Sequence, residues 1–228
     1  MFKKALIFGN NKHEAYALLH NAGLTLVEKD PDLVVCYGGD GTFLHAEHAH
    51  PGIPKLMLRD SRVCKLCPPL SNEVVIARLR EKKFKKIEIE KLECRAKGKT
   101  LYGVNDIVVH NKDPRHAMRY TLSIDGVRQG AGEIIGDGIV AATPLGSTGY
   151  YRSIADSFFE VGIGLAFNNS TEQLDHMVLT DERKITLHVV RGPAVVYADN
   201  QSEYIELEAG EETHIVKSKK IATMVRVL

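Results

Sequence analysis

Val35-Cys36-Tyr37-Gly38-Gly39-Asp40-Gly41-Thr42 carries an apolar run into three glycines grouped around one carboxylate, and a helix-like segment follows. This is the composition of a strand, a phosphate-type loop and a helix start. Glycine tolerates positive φ and lets backbone N–H groups approach an anion, while a helix beginning near Thr42 aims its positive end at the same point. Asp40 is unexpected in that company. A carboxylate beside phosphates is unfavourable unless Mg²⁺ bridges them or the group takes a proton from an attacking hydroxyl, so it points to chemistry as well as binding. The competing reading is a Gly-rich turn with Asp as its turn former. No Lys follows the glycines, which sets the loop apart from a Walker A motif.

On either side of this loop, apolar runs alternate with helical patterns. Ala5 to Phe8, Leu24 to Val27, Leu33 to Tyr37 and Pro54 to Leu58 read as strands. His13 to Ala22 reads as a helix stopped by Gly23, Thr42 to His50 as a second, and the stretch from Ser71, an N-cap, to Lys83 as a third. Right-handed crossovers between such strands predict a parallel sheet with ligand loops at its carboxyl ends. From residue 86 the period changes to two. Lys86 to Leu92 alternates, Ala96-Lys97-Gly98-Lys99 reads as a hairpin turn, Asp125-Gly126 is a stronger one, and strand patterns continue to Ile221 to Val227. The expected fold is an α/β N-terminal domain with a parallel sheet, residues 1–85, carrying the phosphate loop. A mostly antiparallel, β-rich C-terminal domain, residues 86–228, follows it. The basic run Lys82-Lys83-Phe84-Lys85-Lys86 reads as a solvated helix end at the junction.

Bulk properties narrow the partners. The chain has 228 residues, 30 basic against 29 acidic, and a formal charge of +1, so it lacks a global footprint for nucleic acid or a membrane surface. No apolar stretch approaches the ~20 residues of a membrane span, and Met1-Phe2-Lys3-Lys4 runs into a strand pattern rather than a signal peptide. Small molecules are the expected partners, and the cytoplasm the expected location. Cys36, Cys64, Cys67 and Cys94 are read as thiols. Cys64-x-x-Cys67 supplies one ligand pair where structural zinc needs four ligands, so the pair is expected to be reduced and metal-free; His45 and His48 read as helix-surface residues.

Two more constellations carry polar groups suited to a nucleotide. Asn105-Asp106 pairs a carboxamide, which donates and accepts at once, with a carboxylate that can accept from vicinal hydroxyls; an Asx turn is the alternative. Gly136-Asp137-Gly138 is followed by a strand and then by Thr143-Pro144-Leu145-Gly146-Ser147-Thr148-Gly149-Tyr150, a loop with the three hydroxyls of Thr143, Ser147 and Thr148, two glycines and the ring of Tyr150. Ser147 lacks the spacing of a nucleophile elbow, and Gly130-Ala131-Gly132 lacks the following helix of a dinucleotide fingerprint.

In order and content these stretches resemble the NAD kinase family: Gly38-Gly39-Asp40-Gly41-Thr42 is similar to its first motif, Asn105-Asp106 to its Asn-Glu/Asp pair, and residues 136–150 to its Gly-Asp-Gly and Thr-Pro-Thr-Gly-Ser-Thr-Ala-Tyr stretch. Gly-Gly-Asp-Gly-Thr alone also occurs in diacylglycerol and sphingosine kinases, and the later motifs favour NAD kinase. The resemblance implies phosphorylation of the adenosine-ribose 2′-hydroxyl of NAD, giving NADP, with ATP or polyphosphate and Mg²⁺. It also implies ligand in a cleft between two domains, and a homodimer or homotetramer. Carried over, Asp40 is the general base, Gly38, Gly39, Gly41 and Thr42 hold phosphates, and Asn105 and Asp106 bind ribose or base. Thr148, Tyr150 and Ser153 line the adenosine pocket, and Asp137 approaches the nicotinamide half, within one subunit or across an interface. Arg62 is kept where the family has Asn-Thr-Gly-Arg-Leu-Gly-Phe-Leu, but Arg59 to Leu66 lacks that segment's glycines and aromatic. Asp199-Asn200-Gln201 is near the family's Asp-Gly-Gln. The alternatives are a nucleotide-binding sensor of the same fold without catalysis, and a lipid kinase.

Overall fold

The computed structural model describes residues 2–20, 22–172 and 174–228. The chain divides into two compact units, one running to Ile89 and taking back Ile221–Leu228, the other Glu90–Lys220.

The first unit alternates strand and helix: β1 (Lys4–Phe8), α1 (Lys12–His20), β2 (Thr25–Leu26), β3 (Leu33–Gly38), α2 (Asp40–Ala49), β4 (Lys55–Arg59), α3 (Asn72–Arg80) and β5 (Phe84–Ile89). β1, β2, β3 and β4 pair in parallel, as the alternation predicts. Every residue of β3 is buried, the mark of a central strand covered on both faces. Leu19, Leu33, Val35, Leu56, Leu58, Val75 and Ile76 share one core, each large aliphatic contributing about 1.5–3 kcal/mol by its burial. Ser71 caps α3, its hydroxyl accepting the Val74 N–H at 3.4 Å. Under α2, Lys55 and Glu47 form an ion pair with exposures of 0% and 2%, and Lys55 Nζ also donates to the His50 carbonyl at 2.6 Å. Burial beside this pair pushes the Cys36 thiol up to about 12.

The second unit holds β6 (Leu92–Ala96), β7 (Lys99–Gly103), β8 (Asp106–Asn111), β9 (Met118–Ile124), β10 (Val127–Gly136) and β11 (Gly138–Ala142). A 3₁₀ turn (Gly146–Thr148), α4 (Tyr150–Ala155), β12 (Ile163–Asn168), β13 (Met177–Leu179), β14 (Ile185–Arg191), β15 (Ala194–Ala198), β16 (Tyr204–Leu207) and β17 (Glu212–Lys217) complete it. Two antiparallel sheets result, in the orders β10-β9-β14-β17-β6-β7 and β13-β12-β11-β8-β15-β16. Their inner faces share a core that includes Tyr120, Leu122 and Leu187 from one sheet and Ile107, Val109, Ile139 and Leu165 from the other. On the outer face of the second sheet, Tyr151 of α4 packs on Val108, Val140 and Ala166. The Asp125-Gly126 turn has φ of 51° and 82°, the left-handed pair that such a two-residue hairpin demands.

The final strand, β18 (Ala222–Val227), lies between β4 and β5, parallel to β4 and antiparallel to β5. This corrects the division expected between residues 85 and 86, since β5 and β18 both belong to the first unit. Periodicity assigns a strand to neither sheet; pairing does. β5 is an edge strand whose Lys85, Lys86 and Glu88 face solvent, and β18 shields its other side with buried Ala222, Met224, Val225 and Val227. Among the described residues no helix is long and apolar enough to cross a membrane.

Candidate functional site

α2 begins at Asp40, two residues earlier than its apolar pattern suggests, with Gly39 as N-cap and no side chain capping it. Its first-turn N–H groups therefore have no side-chain cap, which suits an anion. The Thr42 N–H closes the turn onto the Gly39 carbonyl at 3.0 Å. Gly41 and Thr42 are half-buried on this turn. The Asp40 carboxylate points at the loop after β4. Its Oδ2 accepts the Lys65 N–H at 3.0 Å and its Oδ1 the Leu66 N–H at 2.9 Å. Gly39 packs closely on the same loop, where an added Cβ would meet Ser61 and the Val63 carbonyl at 3.2 Å. Arg62 is exposed there.

Cys64 and Cys67, expected as thiols, are disulfide-bonded to each other, with Cα atoms 5.4 Å apart. The expectation weighed compartment and zinc-ligand number and not local geometry, whereas the tight loop brings the two residues within bridging distance. Cys36 and Cys94 are free and buried. His45 and His48 are exposed on α2.

In the second unit, the Asn105-Asp106 corner is built by long-range hydrogen bonds. Asp199, in the left-handed region at φ 50°, accepts the N–H of Val104 through Oδ2 at 2.9 Å. Its Oδ1 takes those of Asn105 at 2.7 Å and Asp106 at 3.2 Å. The Asn105 carbonyl accepts the Thr143 N–H at 2.8 Å, and the Thr143 hydroxyl donates to the Val104 carbonyl at 2.6 Å. Gly146 sits so close that a Cβ there would lie 2.0 Å from the Asn105 carbonyl oxygen, so only glycine fits. Asn105-Asp106 and the Thr143–Tyr150 stretch are therefore one structural corner.

Asp106 is 8% exposed, and its carboxyl is pushed up to about 7, chiefly by burial and then by the charge of Asp199. Asp199 is itself raised by burial, against the pull of its three N–H donors. The Tyr150 hydroxyl accepts from Asn168 Nδ2 at 3.0 Å; burial raises its pKa, followed by Asp137 and, more weakly, Asp106. Tyr197 is pushed up to about 12 by burial, with Tyr150 and Asp106 adding to it. Asp137 accepts from Asn169 Nδ2 at 2.7 Å and Asn111 Nδ2 at 3.3 Å. Asp106, Asp137, Tyr150 and Tyr197 thus form one electrostatic group. The Thr148 hydroxyl reaches the Leu145 carbonyl at 3.5 Å, and the Ser153 hydroxyl donates to the Tyr150 carbonyl at 2.7 Å, so both serve local turns.

Sequence reasoning omitted Asp199, Asn168 and Tyr197 from the candidate residues. Asp199 carried a legible signal, a carboxylate directly after a strand in a turn-forming Asp-Asn pair. Asn168 and Tyr197 carried none, because they join the site only through strand pairing.

The profile of the ATP-NAD kinase C-terminal domain matches residues 104–227, more than half of the chain. The NAD kinase of Acinetobacter baylyi is 28% identical over 220 residues, covering 89% of this chain and 70% of that protein. That of Pyrococcus furiosus is 26% identical over 212 residues, covering 89% and 76%. Among solved structures, an NAD kinase from Archaeoglobus fulgidus in complex with ATP superposes with a TM-score of 0.80 at 24% identity, covering 99% of this chain and 94% of that one. Yeast NADH kinase complexed with NADH does so with a TM-score of 0.84 at 18% identity, covering 99% and 84%. At such identities the superpositions speak for the fold. With the matched profile spanning the Asn105-Asp106 corner, the Thr143–Tyr150 stretch and Asp199, the chain belongs to the ATP-NAD kinase family.

Proposed function

We propose that the chain transfers a phosphoryl group from ATP, or from polyphosphate, to the 2′-hydroxyl of the adenosine ribose of NAD, producing NADP. The observation that carries this reading is Asp40. It opens α2 directly after two glycines, with each carboxylate oxygen bonded to one backbone N–H of the loop after β4. Each oxygen keeps a lone pair for an incoming hydroxyl. A base so oriented takes the 2′-hydroxyl proton as the oxygen attacks the terminal phosphorus.

Gly38, Gly39, Gly41 and Thr42 hold phosphates with backbone N–H groups, and Arg62 adds positive charge. Asn105 and Asp106 receive the ribose or base, Asp106 accepting from a hydroxyl once ionised. Thr148, Tyr150 and Ser153 shape the adenosine side, and Asp137 the nicotinamide side. Asp40, the carboxylate at the glycine loop, is of the type that would help hold a Mg²⁺ carried by the donor phosphates, and the ion would supply charge neutralisation there.

The test is incubation of purified protein with NAD, ATP and Mg²⁺ and quantitation of NADP, with polyphosphate replacing ATP in a second arm. A nucleotide sensor is the second reading, favoured by Ser61, Cys64 and Lys65 standing where the family's two glycines and aromatic stand. NAD binding by calorimetry without turnover on either donor would select it.

A further inference from the structure

The Cys64–Cys67 disulfide encloses two residues, Lys65 and Leu66, and these are the two whose backbone N–H groups donate to Asp40. Cys64 Sγ lies 3.4 Å from Asp40 Oδ1. The Cys67 N–H donates to Cys64 Sγ at 3.1 Å, and Cys67 Sγ sits 3.6 Å from the Gly38 carbonyl oxygen. The covalent ring is thus seated on the glycine loop and shares its donors with the carboxylate.

Such a small ring does little for global stability, because cross-links restrict the unfolded chain least when they close short loops. The ends of the loop are anchored without it. Asn72 Oδ1 accepts the Arg59 N–H at 2.8 Å, and Asn72 Nδ2 donates to the Arg59 carbonyl at 2.9 Å. The effect of the bond is therefore confined to the segment that faces Asp40. A cavity of about 390 Å³, bordered by Leu56, Lys65, Leu66, Cys67, Pro68 and Arg78, opens beside the ring. It gives the segment room to move and a reductant a way in, and the basic side chains on its border attract a thiolate.

We propose that Cys64 and Cys67 form a reversible redox site that positions Asp40: oxidised, the ring presents two N–H groups that hold the carboxylate in one orientation, and reduced, it releases them. The co-reactant is a dithiol. Its thiolate attacks one sulfur of the ring, the S–S bond breaks, and a mixed disulfide forms. The second thiol resolves it, so that the dithiol leaves as a disulfide, and two electrons and two protons end on Cys64 and Cys67. The kinetic consequence rests on Asp40 being the base proposed above; the structural one does not.

The experiment compares the full chain oxidised with glutathione disulfide and reduced with dithiothreitol. Alkylation and intact mass count thiols, amide exchange is followed across residues 60–70, and NADP formation is assayed in both states. Two more reactive thiols are expected after reduction, with faster exchange at Lys65 and Leu66. The kcat should fall by at least about threefold while the KM for NAD stays within about twofold, the split expected when a reacting group loses orientation and binding does not. A thiol count equal in both states, or exchange indifferent to redox state, overturns the proposal. Redox-dependent exchange with an unchanged kcat also overturns the positioning role. Redox-dependent exchange with no NADP in either state upholds the ring and refutes the kinase reading instead.

Discussion

The Asp199 carboxylate accepts the backbone N–H of Asp106 at 3.2 Å, so one buried carboxyl group shapes the corner that carries another, 93 positions away in the chain. With the N–H groups of Val104 and Asn105 also on Asp199, three backbone donors lose their acceptor at once if that side chain is removed. A buried donor left unsatisfied costs about 1–3 kcal/mol. Asp199→Ala is therefore expected to lower unfolding free energy in urea by at least about 3 kcal/mol, and Asp199→Asn by less, because an amide keeps one accepting oxygen. Equal stability of the alanine variant and the parent would remove Asp199 as the organiser of this corner.

Asp106 makes stability depend on pH in a direction that can be checked. Burial first, and Asp199 second, raise its carboxyl to about 7 in the folded protein. The folded state therefore holds the proton more tightly than the unfolded chain, and its stabilising contribution is complete below about pH 4 and lost as pH rises through about 7. Asp106→Asn cannot ionise and escapes that loss. Its melting temperature relative to the parent should rise between pH 5 and pH 8, by an amount equivalent to roughly 2–3 kcal/mol. A difference that is flat across this range would count against a raised pKa at Asp106.

For NAD, Asp106 is expected to matter in binding and to leave the phosphoryl donor alone. Asp106→Ala should raise the KM for NAD by at least about tenfold, on the order of 1.4 kcal/mol, with the KM for ATP little changed. Should the ATP KM rise while that for NAD stays put, the assignment of dinucleotide to Asn105-Asp106 and of phosphates to the Gly38–Thr42 loop is inverted.

Asp40→Asn retains the acceptor for one N–H of the loop after β4 and removes the base. NADP formation should drop by about 10²–10⁴ in rate, with NAD affinity within a few fold. Wild-type kcat in this variant would take Asp40 out of the chemistry.

Lys55 and Glu47 offer a test confined to folding. Both are buried, and Glu47 also accepts the Gly52 N–H at 3.1 Å. Lys55→Met should destabilise by about 3–5 kcal/mol, because it leaves a buried carboxylate without its cation. Adding Glu47→Gln should recover much of that loss. Additive losses in the double variant would show that the two side chains act independently.

Much of the fold is legible in the sequence because its signals are local. The alternation of strand and helix from Ala5 to Lys83 follows from apolar periodicity. The Asp125-Gly126 hairpin follows from the backbone that two turn-forming residues adopt, and the cap at Ser71 from one hydroxyl placed before an apolar helix face. In content and order, Gly38–Thr42, Asn105-Asp106 and Thr143–Tyr150 resemble the motifs of the family. Each element, turn, cap and motif read in this way depends on residues within one turn or one strand of each other, where chain connectivity itself enforces the contact.

What only the tertiary structure decided depends on groups distant in sequence. β18 reads as one more strand, and its place between β4 and β5 comes from pairing with partners well over a hundred residues earlier, which periodicity cannot encode. Asp199 reaches Val104, Asn105 and Asp106, and Tyr197 meets the Asp106–Tyr150 group, because β15 pairs with β8. The bond between Cys64 and Cys67, and the turning of Asp40 toward the segment they enclose, depend on how the loop after β4 settles over the start of α2. Composition and spacing determine which residues can do chemistry here; burial and long-range hydrogen bonds determine which way those residues face and how tightly they hold their protons.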